Sequence, residues 1–378
     1  MSLSSSEELR YSRHLALREI GPAGQEKIRS ARVLLIGAGG LGSPAALYLT
    51  AAGVGTIGMI DHDCVDVSNL QRQVLYGTSD IGKAKVQMAR QRLEALNPFV
   101  KIEAHEAELS AANVMQIVSS YDLVLDGTDR FNTRYLSNDA CVLSGKPLIS
   151  AAIHRFEGQA MTYVPGAGPC YRCLFPSPPA DGLVPNCAEA GVLGVLPGVM
   201  GVIQATEALK LIVGAGDLLI GRLLTYDALG LRFSEFKFTR RFDCAVCGDH
   251  PSIRAPADLP QLCSAEDIAA VTRVSASVFE ELLSQNAALA IIDVREPEEF
   301  AVSHLSGALN IPVKELEARI SEIPTVERIA FVCRSGARSL TASGVAHRRG
   351  VEQVLHLEGG LLAWQREVDA AFEVAPVA

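Results

Sequence analysis

The sequence has no surplus of positive charge: Lys and Arg number 34 against 43 Asp and Glu, for a formal net charge of −9. Nucleic acid rewards a basic surface, so it is not expected as a partner. No apolar stretch of the signal-peptide kind follows Met1 in MSLSSSEELRYSRHL, and nothing there points to export. Long hydrophobic runs are also scarce. Residues 190–203 come nearest, but Pro197 lies inside the run, and Gln204, Glu207 and Lys210 break up the stretch after it. A run so short suits a protein core better than a bilayer. These absences together predict a cytoplasmic protein that meets its partners through local patches and not through a membrane. There is no internal repeat and no low-complexity tract. The nine cysteines are an odd number without an export signal, so metal binding and thiol chemistry are expected in place of disulfides.

What is present is ample apolar material, 48% hydrophobic against 20% charged, in a chain of 378 residues, long enough for two compact units. Residues 31–36, 56–60, 101–105, 122–126 and 147–151 read as strands. Helical patterns lie between them, such as Val86, Ala89, Leu93 and Leu96 ahead of Pro98. The alternation predicts an α/β fold, a doubly wound parallel sheet covered on both faces. Residues 249–270, rich in proline and polar side chains, read as a linker. Beyond them, strands at 289–293, 328–333 and 354–357 and a helix at 339–349 predict a smaller α/β domain. The expected division is 1–248, 249–270 and 271–378.

Gly37, Gly39 and Gly42 have the G-x-G-x-x-G spacing between a strand and a helix, where backbone can approach phosphates at a helix N-terminus. Asp61, ending the next strand, is placed to accept from a ribose hydroxyl. An NAD-binding dehydrogenase would look the same to this point. The residues beyond Asp61 break that likeness. Ser68, Asn69, Leu70, Gln71, Arg72 and Gln73 form a mostly polar run, Lys85 lies in the next helix, and Asp129 comes after another strand. Two cations and a carboxylate suit a triphosphate with magnesium. Residues 77–83 have P-loop spacing, but Ala84 stands where a Ser or Thr should hold magnesium, so they read as a helix start.

The stretches RYSRHL, GAGGLGSPAALYLTAAGVG, DHDCVDVSNLQRQ, GKAK and DGTD give residues 1–248 a close resemblance to the MoeB/ThiF family, bacterial relatives of ubiquitin-activating enzymes. The resemblance implies a Rossmann-like domain that adenylates the C-terminal glycine of a ubiquitin-fold carrier ending in Gly-Gly. It implies that Gly40, Asp61, Asn69, Arg72, Lys85 and Asp129 contact ATP and Mg²⁺, and that Arg13 serves the active site of the other subunit of a homodimer. One departure is Arg130, where family members often carry Asn, which bears on that adjacent contact.

Cys170 with Cys173, and Cys244 with Cys247, are two C-x-x-C pairs, together the ligand set of a structural Zn²⁺. Cys187 comes after a proline-rich stretch and is expected on a loop; in the family the matching cysteine captures the activated carboxylate or takes part in sulfur transfer. Cys333 ends a strand before a Gly-containing turn and a helix. Backbone N–H groups, with Arg334 and Arg338 nearby, would favour its thiolate and then a persulfide. IIDVREPEEF, HLSGALNIP, FVCRSGARS and LEGGLLAW resemble the rhodanese family in order, with His304 and Trp364 in packing roles. The reading is therefore adenylation followed by sulfur delivery, with thiosulfate or a cysteine desulfurase as donor. An NAD(H)-linked persulfide oxidoreductase is the alternative, and a non-catalytic scaffold a third reading.

Overall fold

The computed structural model describes residues 3–178, 191–258, 270–285 and 289–375, which divide into two units, with the division between residues 258 and 270. In the first unit β1 (Arg32–Ile36), β2 (Thr56–Ile60), β3 (Lys101–His105), β4 (Leu123–Asp126) and β5 (Leu148–His154) are parallel, in the order β3-β2-β1-β4-β5. Alternate residues of β1 go to opposite faces. Val33 and Leu35 pack under the helices Gly42–Ala52 and Leu196–Val213, while Leu34 and Ile36 pack under the helix Phe131–Ser144. Both faces are buried over β1 and β2, which is why their centres read as apolar runs, whereas the edge strand β3 buries only Ile102.

Three strands the periodicity did not foresee, β6 (Glu157–Tyr163), β7 (Arg222–Asp227) and β8 (Arg232–Lys237), extend this parallel core antiparallel. β8 is exposed along its whole length, so it has no apolar stripe to betray it.

The helix Leu196–Val213 is, among the described residues, the one long and apolar enough to cross a bilayer, and 50% of it is buried within the unit. Its polar interruptions dock it. Gln204 donates to the carbonyls of Asp126 (2.7 Å) and Ile149 (3.1 Å), and Glu207 accepts from the Thr162 hydroxyl and the Leu219 amide, both at 2.7 Å. The start of the expected linker is also folded onto this unit: the Ile253 amide donates to Ala245 O at 2.9 Å, and Asp258 accepts from the Ala111 amide.

The second unit is a five-stranded parallel sheet, β11-β10-β12-β13-β9, from β9 (Thr272–Val274), β10 (Leu289–Asp293), β11 (Leu309–Asn310), β12 (Arg328–Val332) and β13 (Val354–Leu357). Central β12 sends Ile329 and Phe331 to one core and Ala330 and Val332 to the other. Trp364 is buried edge-on against Phe279, and His304 stacks on Phe300 at 4.0 Å, both packing contacts.

Candidate functional site

Residues 37–42 leave β1 where the strand order reverses, the usual place for a ligand in such a sheet. Gly37 has φ +92°, and a Cβ on Gly42 would lie 2.0 Å from Gly37 O, so both positions require glycine. Ala38 is gripped from two directions: its N–H donates to Asp61 Oδ2 and its carbonyl accepts from the Tyr76 hydroxyl, both at 2.8 Å. Among the described residues, the amides of Gly39, Gly40, Leu41 and Gly42 make no hydrogen bond. Free donors at the head of the helix Gly42–Ala52 form a cradle for an anion.

The sequence-predicted partners converge on this loop. A 3₁₀ turn, Val67–Asn69, is capped by Asp66, whose carboxylate accepts the Ser68 amide at 2.8 Å and whose own amide donates to Asn69 Oδ1 at 3.3 Å. The turn sends Arg72 back, its guanidinium donating to Ser68 O at 3.0 Å, and a Cβ on Gly40 would lie 3.6 Å from Arg72 Cγ. Ser68 and Gln71 are exposed, while Asn69 and Leu70 are half-buried. On the other side Thr128 backs Gly37, held by Asp126, which accepts its amide at 3.0 Å and its hydroxyl at 2.7 Å. That leaves Asp129 exposed, and Arg130 reaching Glu108 at 2.8 Å. Lys85 is buried, with Nζ 2.9 Å from Asp63 Oδ2. Burial opposes charge on Asp63, but the Lys85 ammonium outweighs it and holds the carboxyl below its ordinary range. Residues 77–83 are not the expected helix start: they hold a 3₁₀ turn at Thr78–Asp80, and the helix starts only at Lys85.

Arg13 is exposed on the short helix Ser12–Leu15. Neighbouring Tyr11 fills the space over Gly53, where a Cβ would meet its ring at 2.4 Å. This segment therefore sits at the far end of the helix Gly42–Ala52, about 16 Å of helix from the glycine loop. The structure does not bring Arg13 to the loop of its own chain. Asp63, Gln73 and Tyr76 were not predicted. Gln73 is buried beside Gly39, its Oε1 without a hydrogen bond among the described residues.

The four cysteines Cys170, Cys173, Cys244 and Cys247 do meet, with sulfurs 4.0, 3.7 and 3.3 Å apart for the pairs 170–173, 170–244 and 173–247. Tetrahedral zinc with ligands at about 2.3 Å asks for sulfurs about 3.8 Å apart, so the cage fits. Hydrogen bonding between Cys170 and Cys173 holds Cys173 low and Cys170 high, and the bond to Cys170 holds Cys244 low. Four thiolates this close repel one another, and a bound cation would offset that repulsion. Asn138 braces the cage: its Oδ1 accepts the Tyr171 amide at 2.9 Å and its Nδ2 approaches Cys170 Sγ. Cys187 lies outside the described residues.

Cys333 sits at the end of β12, its sulfur buried and facing three donors. These are the Gly336 amide at 3.2 Å, the Ser339 amide at 3.3 Å and the Ser339 hydroxyl at 3.4 Å. Gly336, with φ +100°, makes the turn, and the helix begins at Ala337. The expected cationic surround is modified. Arg338 is locked to Glu299 by two bonds of 2.6 and 2.8 Å, so its charge is already matched, and Arg334 donates to Ala375 O at 3.0 Å. The donors on the sulfur are chiefly the loop's own.

A model of the ThiF family matches residues 11–246, and one of the rhodanese-like domain matches residues 275–367. The chain belongs to the ThiF family. It is 43% identical to a protein of Mycobacterium tuberculosis named probable adenylyltransferase/sulfurtransferase MoeZ, over 97% of this chain and 95% of that one. It is 39% identical to the adenylyltransferase and sulfurtransferase MOCS3 of Aedes aegypti, over 98% and 90%. Its first unit is 51% identical to the sulfur carrier protein adenylyltransferase of Thermus thermophilus, over 68% of this chain and 98% of the other. Among solved structures, Escherichia coli MccB shares the fold of this region at 24% identity and a TM-score of 0.58, over 63% of this chain and 74% of that one. ThiF membership implies ATP as substrate, and the four-cysteine cage is compatible with zinc.

Proposed function

We propose that the ThiF unit uses ATP to adenylate the C-terminal glycine of a ubiquitin-like sulfur carrier, and that the rhodanese domain supplies sulfur from a Cys333 persulfide, leaving a thiocarboxylate. The observation that carries this is the glycine loop: four free amides at a helix N-terminus, flanked by Arg72 and, through the Asp61–Asp63 turn, by Lys85. The names of the relatives from M. tuberculosis, A. aegypti and T. thermophilus support it.

In this reading the carrier carboxylate attacks the α-phosphorus of ATP and the bond to pyrophosphate breaks. Charge gathering on the phosphate oxygens meets the loop amides, Arg72 and Lys85. Asp129 is the residue that would hold Mg²⁺, which when bound neutralises phosphate charge. Arg13, remote from its own loop, is offered to a second copy in a homodimer. The Cys333 thiolate takes the outer sulfur of a donor such as thiosulfate, releasing sulfite; a desulfurase persulfide would serve equally. The persulfide sulfur then displaces AMP from the acyl carbon. A second thiol, for which Cys187 is the candidate, attacks the Cys333 sulfur and frees the thiocarboxylate, and an external thiol then reduces the disulfide so formed. The site of action is the cytoplasm. An NAD(H)-linked oxidoreductase would leave Arg72, Lys85 and Asp129 without a task.

The test is one preparation assayed twice. Carrier-stimulated ATP–pyrophosphate exchange and thiosulfate:cyanide sulfurtransferase activity should both appear. NADH oxidation coupled to persulfide, without exchange for any Gly-Gly-ending carrier that co-purifies, would overturn the reading.

A further inference from the structure

The third donor on Cys333 depends on a residue outside the loop. Ser339 has one hydroxyl proton and three acceptors in reach: Cys333 Sγ at 3.4 Å, Gly336 O at 3.0 Å and His356 Nδ1 at 3.2 Å. His356 belongs to β13, buried directly beneath the turn; a Cβ on Gly336 would lie 3.4 Å from its Cε1. Which way the hydroxyl points is decided by what the imidazole does. If Nδ1 carries a proton, it donates to Ser339 Oγ, and the hydroxyl proton is left to Gly336 O and the sulfur, whose thiolate charge makes it the stronger acceptor. If Nδ1 is bare, it draws that proton away from Cys333.

We propose that His356 is a positioning residue for the sulfur-carrying thiolate: its Nδ1–H donates to Ser339 Oγ and turns the Ser339 hydroxyl onto Cys333. The inference rests on the sulfurtransferase reading above. The chain Nδ1–H to Oγ–H to sulfur polarises each bond in the same sense, so the last donor is stronger than an isolated hydroxyl. The loop then offers three donors to the thiolate and to the persulfide anion that replaces it, where the backbone alone offers two. Without the imidazole the hydroxyl has Gly336 O as a nearer acceptor.

The imidazole is suited to this because it stays neutral. Burial, and then the charge of Arg273 on the neighbouring strand, push it down to about 4. It therefore stays neutral across the working range and has one N–H to give, which the contact with Ser339 Oγ at 3.2 Å places on Nδ1 in this proposal. The other charged groups around the loop are paired or turned aside. Arg338 is bound to Glu299, Arg295 to Asp293 on β10, and Arg334 to the Ala375 carbonyl.

The full-length chain tests this through the rate at which iodoacetamide alkylates Cys333, followed on the Cys333 peptide by mass spectrometry. His356→Leu should slow alkylation about tenfold at pH 7, equivalent to about 1.4 kcal/mol, and the deficit should shrink at pH 10. His356→Asn, which keeps an N–H donor, should restore most of the rate at pH 7. Ser339→Ala should reproduce the His356→Leu deficit, and the double variant should be no slower than Ser339→Ala, since the histidine acts only through that hydroxyl. A parent-like rate at pH 7 in either single variant overturns the proposal, as does a double variant slowed by the product of the two. Should His356→Leu fail to fold, Ser339→Ala alone still decides, because it keeps both backbone donors. Alkylation does not require turnover, so a parent chain inactive with thiosulfate would remove the sulfurtransferase reading and leave this test standing.

Discussion

The glycine loop of the first unit and the cysteine loop of the second are built alike. Each leaves the end of a central parallel strand, turns at a glycine of positive φ and opens a helix. They differ in where the backbone donors point. Around Gly39–Gly42 the amides are bare, and the loop is gripped from behind through Ala38. Around Cys333 the amides already converge on the chain's own sulfur. The first is a site for an anion that arrives and leaves; the second carries its anion covalently. Tyr76 and Asp61 steady the first loop through Ala38, and His356 meets the second through the Ser339 hydroxyl.

Removing the resident anion should have the largest effect. Cys333→Ala should abolish thiosulfate:cyanide sulfurtransferase activity and leave ATP–pyrophosphate exchange at the parent rate. Loss of exchange as well would show that the loops are not independent. On the other side, Lys85→Ala should cut exchange by about 10²–10³ and spare sulfurtransferase activity. The same variant leaves Asp63 unpaired, so Asp63→Asn, which removes that charge, should be milder.

Next in size is a difference in what holds each unit together. Metal analysis should give one equivalent of zinc in the parent and none in Cys244→Ala, whose first unit should melt at a lower temperature while sulfurtransferase activity persists. The second unit relies instead on Glu299–Arg338, a buried pair whose loss through Glu299→Ala should cost about 3 kcal/mol. Burial opposes the Glu299 charge, but Arg338 more than offsets it and holds the carboxyl below its ordinary value. The pair's contribution is therefore complete above the ordinary carboxylate range and lost as pH falls through that depressed value. Acid should melt the second unit more readily in the parent than expected from Glu299→Gln, which has no such proton to take up. The smallest effect is expected from Tyr76→Phe, which deletes one hydrogen bond to Ala38 worth about 1 kcal/mol. It should raise the KM for ATP several-fold with the fold intact.

Much of this was written in the sequence because it is local. β2, β3, β10 and β13 lie where their apolar runs place them, and the glycines, the cysteine pairs and Cys333 identify themselves by spacing. What was not legible is partnership across the chain. Glu299 and Arg338 stand 39 residues apart, and Asp63 meets Lys85 across 22, distances at which no periodicity links them. Arg338 in isolation read as a free cation beside the thiol, and only the fold reveals its carboxylate. β8 escaped for a different reason, since a strand exposed along its length at the sheet edge needs no continuous apolar stripe.

The sulfur cage joins residues 74 positions apart, so a bound metal turns the chain between Cys173 and Cys247 into a closed loop. Inside that loop run the helix Leu196–Val213 and both outer strands of the antiparallel edge. A cross-link of this span removes about 4 kcal/mol of chain entropy from the unfolded ensemble. It also acts as a clasp. A protease nick in the bend after Gly214 would leave two fragments that migrate as one particle while metal is bound, and a chelator would release the edge strands like a tab.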